Sequence, residues 1–363
     1  MFTRKTVIVL GAGASCHYGY PTGEALVEAI GKRAASILKT YEHDKLLFLM
    51  PDPDQWPKHI MKMDALESFL TDLKTLETKI SQTKPLVIDY FLGVNPALAD
   101  LGKILIAMEL LDCEHRNPMP PNMKKDDWLR FVVHQLIIGY DEPADLLKNT
   151  VKFVTFNYDL SLEQRLHQAL ASIEWFSTDN LAEKFVTEDR IYHVYGKLRD
   201  FDPTKISKND VPREDAVRNL SLKIDKAYEA SRGLRAIAPS EKAILPEVQR
   251  AIDEIKLAEH LYILGYGFDP HNNDLLKLGV RTADEPKKKV VHFTNWENHN
   301  KINNQVERVF GFNKNDLAGE RYSAQGLRYV TANNNSSTAV YTVCEKSTQK
   351  VYKALAYDFD WPD

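Results

Sequence analysis

The sequence predicts an α/β fold in which a parallel β-sheet is covered by helices on both faces. Five short apolar runs, rich in β-branched and aromatic residues, each end in turn-forming Gly, Asn or Asp. Amphipathic helical stretches separate most of these runs. The first run passes directly into a glycine turn, "GAGAS" at 11–15, that begins a helix. Strands that alternate with helices indicate a parallel, Rossmann-like sheet.

The five predicted strands are widely spaced along the chain. They are expected at 6–10, 151–159, 190–198, 260–268 and 288–295. Helices are predicted from the spacing of apolar residues at 160–173, 244–259, 272–280 and 301–311. The last of these stops at Gly311, a residue typical of helix C-termini.

A large helical insertion is predicted after the first strand. Four stretches there have apolar residues at three- and four-residue spacing, namely 23–41, 63–80, 96–113 and 126–138. We therefore divide the chain into a sheet domain (1–25 and 145–312), an insertion (26–144) and a C-terminal extension (313–363). The polar stretch at 199–240 is predicted to be a loop or a small helical excursion, and the extension to contain one more strand.

The composition argues against several classes of protein. A net charge of −4 and a pI near 6.3 do not favour direct binding of nucleic acid or of an anionic membrane. The three cysteines, Cys16, Cys113 and Cys344, are far apart, so no disulfide framework or thiolate metal site is expected. There is no signal-peptide pattern and no apolar run of membrane-spanning length. A cytoplasmic protein without a metal is expected.

The glycine turn by itself leaves the ligand open. A dinucleotide-binding fingerprint would have a third glycine where Cys16 stands and an acidic residue at the end of a second strand about 20 residues later. Both are missing, which argues against a dehydrogenase, and no Gly-Lys-Ser/Thr phosphate loop follows. The turn is either a tight strand-to-helix connection without a ligand or a place where a pyrophosphate meets a helix N-terminus.

Five short segments together carry a resemblance to a known family. They are "GAGAS…YPTG", "TFNYD", "YHVYG", "LGYGFDPHN" and "VVHFTN", in that order from residue 6 to about 300. In this order they resemble the sirtuin superfamily, and more specifically the zinc-free sirtuin-like NADases of prokaryotic antiphage defence. The resemblance implies NAD⁺ as substrate rather than as a redox cofactor.

The resemblance also implies a role for each matching residue. The turn Gly11, Ala12, Gly13, Ala14 and Ser15 would hold the pyrophosphate of NAD⁺. Asn157 matches the catalytic asparagine of the family, and Asp159 matches the acid two positions on. The remaining implied NAD⁺ contacts are Tyr18, Pro21, Thr22, Gly265, Tyr266, Gly267, Asp269 and Asn295. A plain structural interpretation of 157–159 is an Asx turn that begins the next helix, and His271 and Asn272 are expected to cap the helix after them.

The sequence departs from the family at the general base. Family members have a histidine before the glycine of the third strand, whereas this chain has Tyr195 before Gly196 and a histidine at 193. Because side chains alternate along a strand, His193 and Tyr195 are expected to face the same side. Either His193 reaches the site through a register shift, or Tyr195 occupies the base position and the chemistry is weakened or altered.

The acyl-lysine chemistry of deacetylating sirtuins is not expected here. The four zinc-binding cysteines are missing, and Pro21 is followed by Thr22 rather than by Asp-Phe-Arg. Water is then the expected acceptor, which makes the predicted activity hydrolysis of NAD⁺ to nicotinamide and ADP-ribose. The alternative is a catalytically weak NAD- or ADP-ribose-binding scaffold that regulates a partner ATPase or nuclease. By analogy with the family we also expect a homo-oligomer and a HerA-type hexameric ATPase as a possible partner.

Overall fold

A five-stranded parallel sheet forms the centre of the protein. The computed structural model describes residues 1–43, 63–120, 122–205, 218–237, 244–280, 289–294, 300–310, 321–322, 327–331, 340–344 and 355. The strands of the sheet are β1 (Thr6–Leu10), β2 (Lys152–Thr155), β3 (Ile191–His193), β4 (His260–Leu264) and β5 (Val290–Phe293). Their spatial order is β3-β2-β1-β4-β5, which confirms the predicted α/β, Rossmann-like parallel sheet.

The position of β1 in the sheet places the candidate site. All residues of β1 and β4 are buried, as expected for central strands that are covered on both faces. Val7 lies beside Lys152 of β2 and Leu261 of β4, so β1 lies between strands from much later in the chain. β2 and β3 lie on one side of β1, and β4 and β5 lie on the other side, so the boundary between β1 and β4 is the switch point of the sheet. Open α/β sheets bind ligands at a switch point, at the carboxyl ends of the strands.

Helices occupy the regions between the strands. They are α1 (Ala12–Ser15), α2 (Gly23–His43), α3 (Met63–Thr83), α4 (Ile88–Gly93), α5 (Ala99–Arg116), α6 (Leu129–Ile137), α7 (Ser161–Ala171), α8 (Glu174–Ser177), α9 (Leu181–Thr187), α10 (Arg218–Ser231), α11 (Pro246–Leu257), α12 (Pro270–Leu275) and α13 (Asn300–Phe310). The predicted helical insertion after β1 is thus confirmed as α2–α6, in which α2 packs against α3 and α5. One buried apolar core runs from the sheet into these helices, and its members there include Ile30 of α2, Leu76 of α3 and Leu105 of α5.

Three predictions need correction in detail. The stretch 199–240 contains a full helix, α10, which packs against α5 of the insertion. The described residues of the C-terminal extension form three strands, where one was predicted: β6 (Arg321–Tyr322), β7 (Leu327–Thr331) and β8 (Val340–Cys344) make an antiparallel sheet. β1 matches its predicted range, 6–10, whereas β2, β3 and β4 are shorter than the apolar runs that predicted them, because the last residues of those runs form the loops that build the site. Among the described residues, no helix is long and apolar enough to cross a membrane.

Candidate functional site

The turns after β1 and β4 are packed backbone against backbone. Gly13 donates its N–H to the carbonyl oxygen of Gly265 at 2.9 Å, and Gly11 donates to Leu264 O at 3.0 Å. A Cβ on Gly11 would lie 2.5 Å from Gly265 O, so a side chain cannot fit there. With Ala14 N donating to Gly11 O, three of the five backbone donors assigned to a pyrophosphate already have partners within the protein. The glycines are therefore required by this packing, whether or not a phosphate binds.

The loop after β4 is held by ring contacts and by side-chain bonds. Gly265 has φ +60° and donates its N–H to Thr294 Oγ1 at 2.8 Å. Tyr266 stacks on Phe156 of the β2 loop at 5.0 Å, and its hydroxyl donates to Asn273 Oδ1 at 2.9 Å. Gly267 is exposed at the outside of this loop. The loops after β1, β2 and β4 thus meet at one end of the sheet.

Asp269 is the helix cap that closes this loop. Its Oδ1 accepts hydrogen bonds from the backbone N–H groups of His271 and Asn272, which begin α12. The predicted capping by the side chains of His271 and Asn272 is thus wrong, since these residues supply the backbone donors and the acceptor is Asp269. The reason is local, because an aspartate directly before Pro at the first helical position is a favoured N-cap. Because Asp269 Oδ1 already accepts two backbone bonds, only Oδ2 is left to accept from a ribose hydroxyl.

Asn157 has the geometry of a functional amide. Its Nδ2 donates to Gly11 O at 3.1 Å and to Ser15 Oγ at 2.8 Å, which fixes the side-chain orientation. Its Oδ1 accepts no hydrogen bond from the residues that the structure describes. The residue is 9% exposed, so it is nearly buried beside the first turn. A fixed, neutral amide with a vacant acceptor can hold a water molecule or a sugar hydroxyl.

Asp159 anchors the start of α7. Its Oδ1 accepts from the N–H of Ser161 at 3.0 Å and from Ser15 Oγ at 3.2 Å, which confirms the Asx turn for this residue. Burial raises the pKa of the Asp159 carboxyl, and the bonds from Ser161 and Ser15 act in the opposite direction. Ser15, predicted to hold phosphate, therefore joins Asn157 and Asp159 within the protein.

His193 is buried and fully engaged. Its Nδ1 lies 2.9 Å from the carbonyl oxygen of Asn157, and its Nε2 lies 2.7 Å from Glu163 Oε1. A carbonyl oxygen and an ionised carboxylate can only accept, so opposite an ionised Glu163 both ring nitrogens carry a proton and the ring is a cation. Burial lowers the pKa of His193, but the charge and hydrogen bond of Glu163 outweigh it and the net shift is upward. An imidazolium with both N–H groups engaged cannot take a proton from a substrate.

The His193–Glu163 pair predicts a pH-dependent stability. Because the pKa is raised in the folded state, the stabilisation is complete below the unfolded value, about 6.5, and is lost as the pH rises through the folded value. We expect Glu163→Gln to lower the free energy of unfolding by about 1.5–3 kcal/mol at pH 6 and by less at pH 9. Urea unfolding from pH 6 to 9 measures this, with the exposed Glu174→Gln as control. An equal loss at both pH values would contradict the charged pair.

Tyr195 lies beyond the end of β3. The strand ends at His193 and a turn follows, closed by Gly196 N donating to His193 O, so strand alternation does not extend to Tyr195. The Tyr195 hydroxyl donates to Asn272 Oδ1 at 2.5 Å, and its ring packs near Phe156. The side chain is 1% exposed, and burial raises its pKa far above the ordinary value. The expectation that His193 and Tyr195 share a face is not met, since the two have different partners.

The insertion reaches the first turn through two adjacent residues. The Tyr18 hydroxyl donates to Asp127 Oδ1 at 2.8 Å, and Arg165 Nε of α7 lies 3.0 Å from Asp127 Oδ2. Trp128 Nε1 donates to Ala14 O at 3.0 Å. The Tyr18 side chain, predicted to contact NAD⁺, thus has its hydroxyl bound to the insertion. The sheet and the insertion share one buried polar network.

The remaining predicted contacts lie at the start of α2 or outside the described residues. The Thr22 Oγ1 accepts from Ala25 N at 3.3 Å, so Thr22 caps α2, and Pro21 precedes it. Asn295 falls outside the residues that the structure describes.

Asp89 of α4 is an acidic residue in apolar surroundings that the sequence analysis did not single out. It is 9% exposed, and its Oδ1 has no hydrogen-bond partner among the described residues. Burial raises the pKa of its carboxyl to about 7, a shift that the charge of Asp269 increases. The available signal was a single acid within the apolar run "VIDYFL". Glu163 was missed because only the fold brings it to His193.

The site contains no arrangement suited to a metal ion: the described residues include no group of three or more His, Cys, Asp or Glu side chains that could hold one. No protein-family model matches this chain, and no curated protein matches it.

Proposed function

We propose that the protein is an NAD⁺ glycohydrolase that cleaves NAD⁺ to nicotinamide and ADP-ribose. The observation that carries the proposal is Asn157, an amide whose nitrogen is fixed by Gly11 and Ser15 and whose oxygen has no partner among the residues that the structure describes. It lies beside the turn after β1, at the switch point of the sheet, where ligands of this fold class bind. The five-segment resemblance to sirtuin-like NADases supports the same assignment.

The chemistry suits a neutral amide at this position. Breaking the glycosidic bond to nicotinamide develops positive charge on the ribose C1′, as in other oxocarbenium-like reactions. A fixed amide oxygen can orient a ribose hydroxyl or the attacking water, and its dipole stabilises the developing charge. It does so without the full negative charge of a carboxylate, which would bind the cationic ring of the intact substrate as well.

The decisive experiment is an assay for nicotinamide release. We expect the wild-type protein to release nicotinamide from NAD⁺ and Asn157→Ala to lower the rate at least about 100-fold, the size of effect seen when a fixed polar group is removed from a transition state. The exposed Asn122→Ala serves as the matched control and retains full activity. Thermal melting of each variant shows whether the fold is intact. Equal rates for the wild-type protein and Asn157→Ala would refute the proposal.

A second function is favoured by a specific observation: both residues expected to act as the base are engaged within the protein. His193 pairs with Glu163, and the Tyr195 hydroxyl donates to Asn272. A catalytically weak NAD- or ADP-ribose-binding scaffold that regulates a partner ATPase or nuclease fits this arrangement. Incubation with NAD⁺ separates the two functions, because a scaffold returns intact NAD⁺ and a hydrolase returns ADP-ribose.

The biological setting belongs to the same proposal. By the family resemblance, the protein acts in the cytoplasm as an effector of antiphage defence by depleting NAD⁺, as a homo-oligomer and with a HerA-type ATPase. Self-assembly is supported by the apolar side chains of Leu86, Tyr90 and Val94, which are 61%, 46% and 49% exposed near α4. Co-expression with the product of the neighbouring gene, followed by mass measurement of the purified complex, tests both associations.

A further inference from the structure

The carboxyl group of Asp89 is buried near Asp269 and Tyr195, and apart from a bond from its own backbone N–H it has one oxygen without a partner among the described residues. The side chain is 9% exposed, and its Oδ1 has no hydrogen-bond partner among the described residues. Buried polar atoms are nearly always bonded, and each exception in a native protein needs an explanation. A ligand that is not part of the polypeptide is one such explanation.

Apolar packing fixes the position of Asp89. The neighbouring side chains of Ile88, Phe91 and Leu92 on α4 are buried in the core of the insertion. The exposed Tyr90 ring contacts His271 of α12 edge-on, with 5.5 Å between the ring centroids. Helix α4 therefore lies against the start of α12, the helix that follows the β4 loop, although the two segments are far apart in the sequence.

Asp89 is near Tyr195, which stands at the position where the family has its general base. Its charge acts on Tyr195, the residue that stands where the family has its histidine, and the charge of Asp269 acts on Asp89. Tyr195 itself is bonded to Asn272. Burial, assisted by Asp269, raises the pKa of the Asp89 carboxyl to about 7, and a general base works best when its pKa lies near the working pH.

We propose that Asp89, contributed by the insertion, is the general base of this site and contacts the ribose next to the scissile bond. This inference rests on the proposed NAD⁺ hydrolysis. As water attacks C1′, the C1′–N bond breaks and its electron pair goes to the ring nitrogen, which makes nicotinamide neutral. The new C1′–O bond gives ADP-ribose, and the proton of the water passes to Asp89 and then to solvent.

The test compares Asp89→Asn, which keeps the shape and removes the base, with a matched control. Asp100→Asn removes the same charge from the first turn of another insertion helix, α5, where the side chain is 93% exposed. Nicotinamide release is measured from pH 5 to 9. Calorimetry compares the affinities of ADP-ribose and of ADP for the wild-type protein and for each variant. Thermal melting confirms that each variant is folded.

We expect Asp89→Asn to lower kcat at least about 100-fold, with KM changed less than about threefold, and to abolish the rise of kcat with pH. The preference of the wild-type protein for ADP-ribose over ADP is expected to fall at least about tenfold in Asp89→Asn, because Asp89 would accept a hydrogen bond from the C1′ hydroxyl, which NAD⁺ lacks. In Asp100→Asn the preference should stay unchanged. The melting temperature of Asp89→Asn stays equal or rises, because a buried carboxyl with an unpartnered oxygen destabilises the fold.

Two outcomes would overturn the inference, and they are distinguishable. If the wild-type protein hydrolyses NAD⁺ and Asp89→Asn retains its rate and pH profile, Asp89 is not the base and the proposed function stands. If the wild-type protein neither releases nicotinamide nor binds ADP-ribose, the proposed function fails and the role of Asp89 fails with it.

Discussion

Replacing Arg165 by methionine is expected to lower the free energy of unfolding by about 3–5 kcal/mol. Arg165 is 1% exposed and its partner Asp127 is fully buried, with 3.0 Å between Arg165 Nε and Asp127 Oδ2. The substitution leaves a buried carboxylate that has bonds from Tyr18 and Leu129 but no compensating charge. Urea unfolding followed by circular dichroism measures the loss.

Two further variants make this test specific. Arg250→Met removes an arginine from a pair with Asp189 in which both side chains are more than half exposed, so its expected cost is about 0–1 kcal/mol. Adding Asp127→Asn to Arg165→Met removes the uncompensated charge, so the double variant should lose less than the sum of the single losses. A cost for Arg165→Met no larger than that of Arg250→Met would show that the buried pair is unimportant.

Gly265→Ala is expected to destabilise the protein by about 2–5 kcal/mol, because a left-handed backbone and a steric overlap act together. The φ of Gly265 is +60°, and a Cβ there would lie 2.2 Å from Ala14 N and 2.5 Å from the carbonyl carbon of Gly13. Both neighbours are backbone atoms of the first turn and cannot rotate away. The turn must therefore move, so binding of a nucleotide there should weaken as well.

Gly267 provides the matched control for this substitution. It lies two residues further along the same loop, and a Cβ there would meet nothing within 4 Å. Gly267→Ala should change the free energy of unfolding by less than about 1 kcal/mol, in either direction. Thermal and urea unfolding of both variants give the comparison. A similar loss for the two would mean that the contact between the turns contributes little.

The fold was predictable because its signals are local. β1 and β4 are continuous apolar runs that end in glycine, and the apolar spacing of 160–173 marks α7. Strand ends were less predictable, since the residues after Thr155 and after His193 are as apolar or aromatic as the strands before them. After Thr155 the chain leaves the sheet and forms the Asx turn at Asp159. After His193 it leaves the sheet in a turn that Gly196, with φ +78°, closes.

The candidate site was predictable only in part. Asn157 and the glycine turn were recognisable from short segments, but the state of His193 depends on Glu163, which only the fold brings to it. The burial of Asp89 depends on the packing of α4, and the bond between Tyr18 and Asp127 joins residues that are 109 positions apart. Contacts of this kind leave no periodic pattern in the sequence, so residue types alone could not reveal them.

The location of β1 at the centre of the sheet has a consequence for the synthesis of the protein. β1 is made before the other strands of the sheet, yet Val7 pairs with Lys152 and Leu261, so it stays without its first partner until β2 is translated and without its second until β4 is translated. Pairings over such separations form slowly, and the unpaired apolar strand is a site for chaperones or aggregation until then. The turn at Gly265 that supports Gly11 and Gly13 arrives later still. The proposed activity therefore requires that translation has passed β4, so a chain that is still shorter than this is not expected to consume NAD⁺.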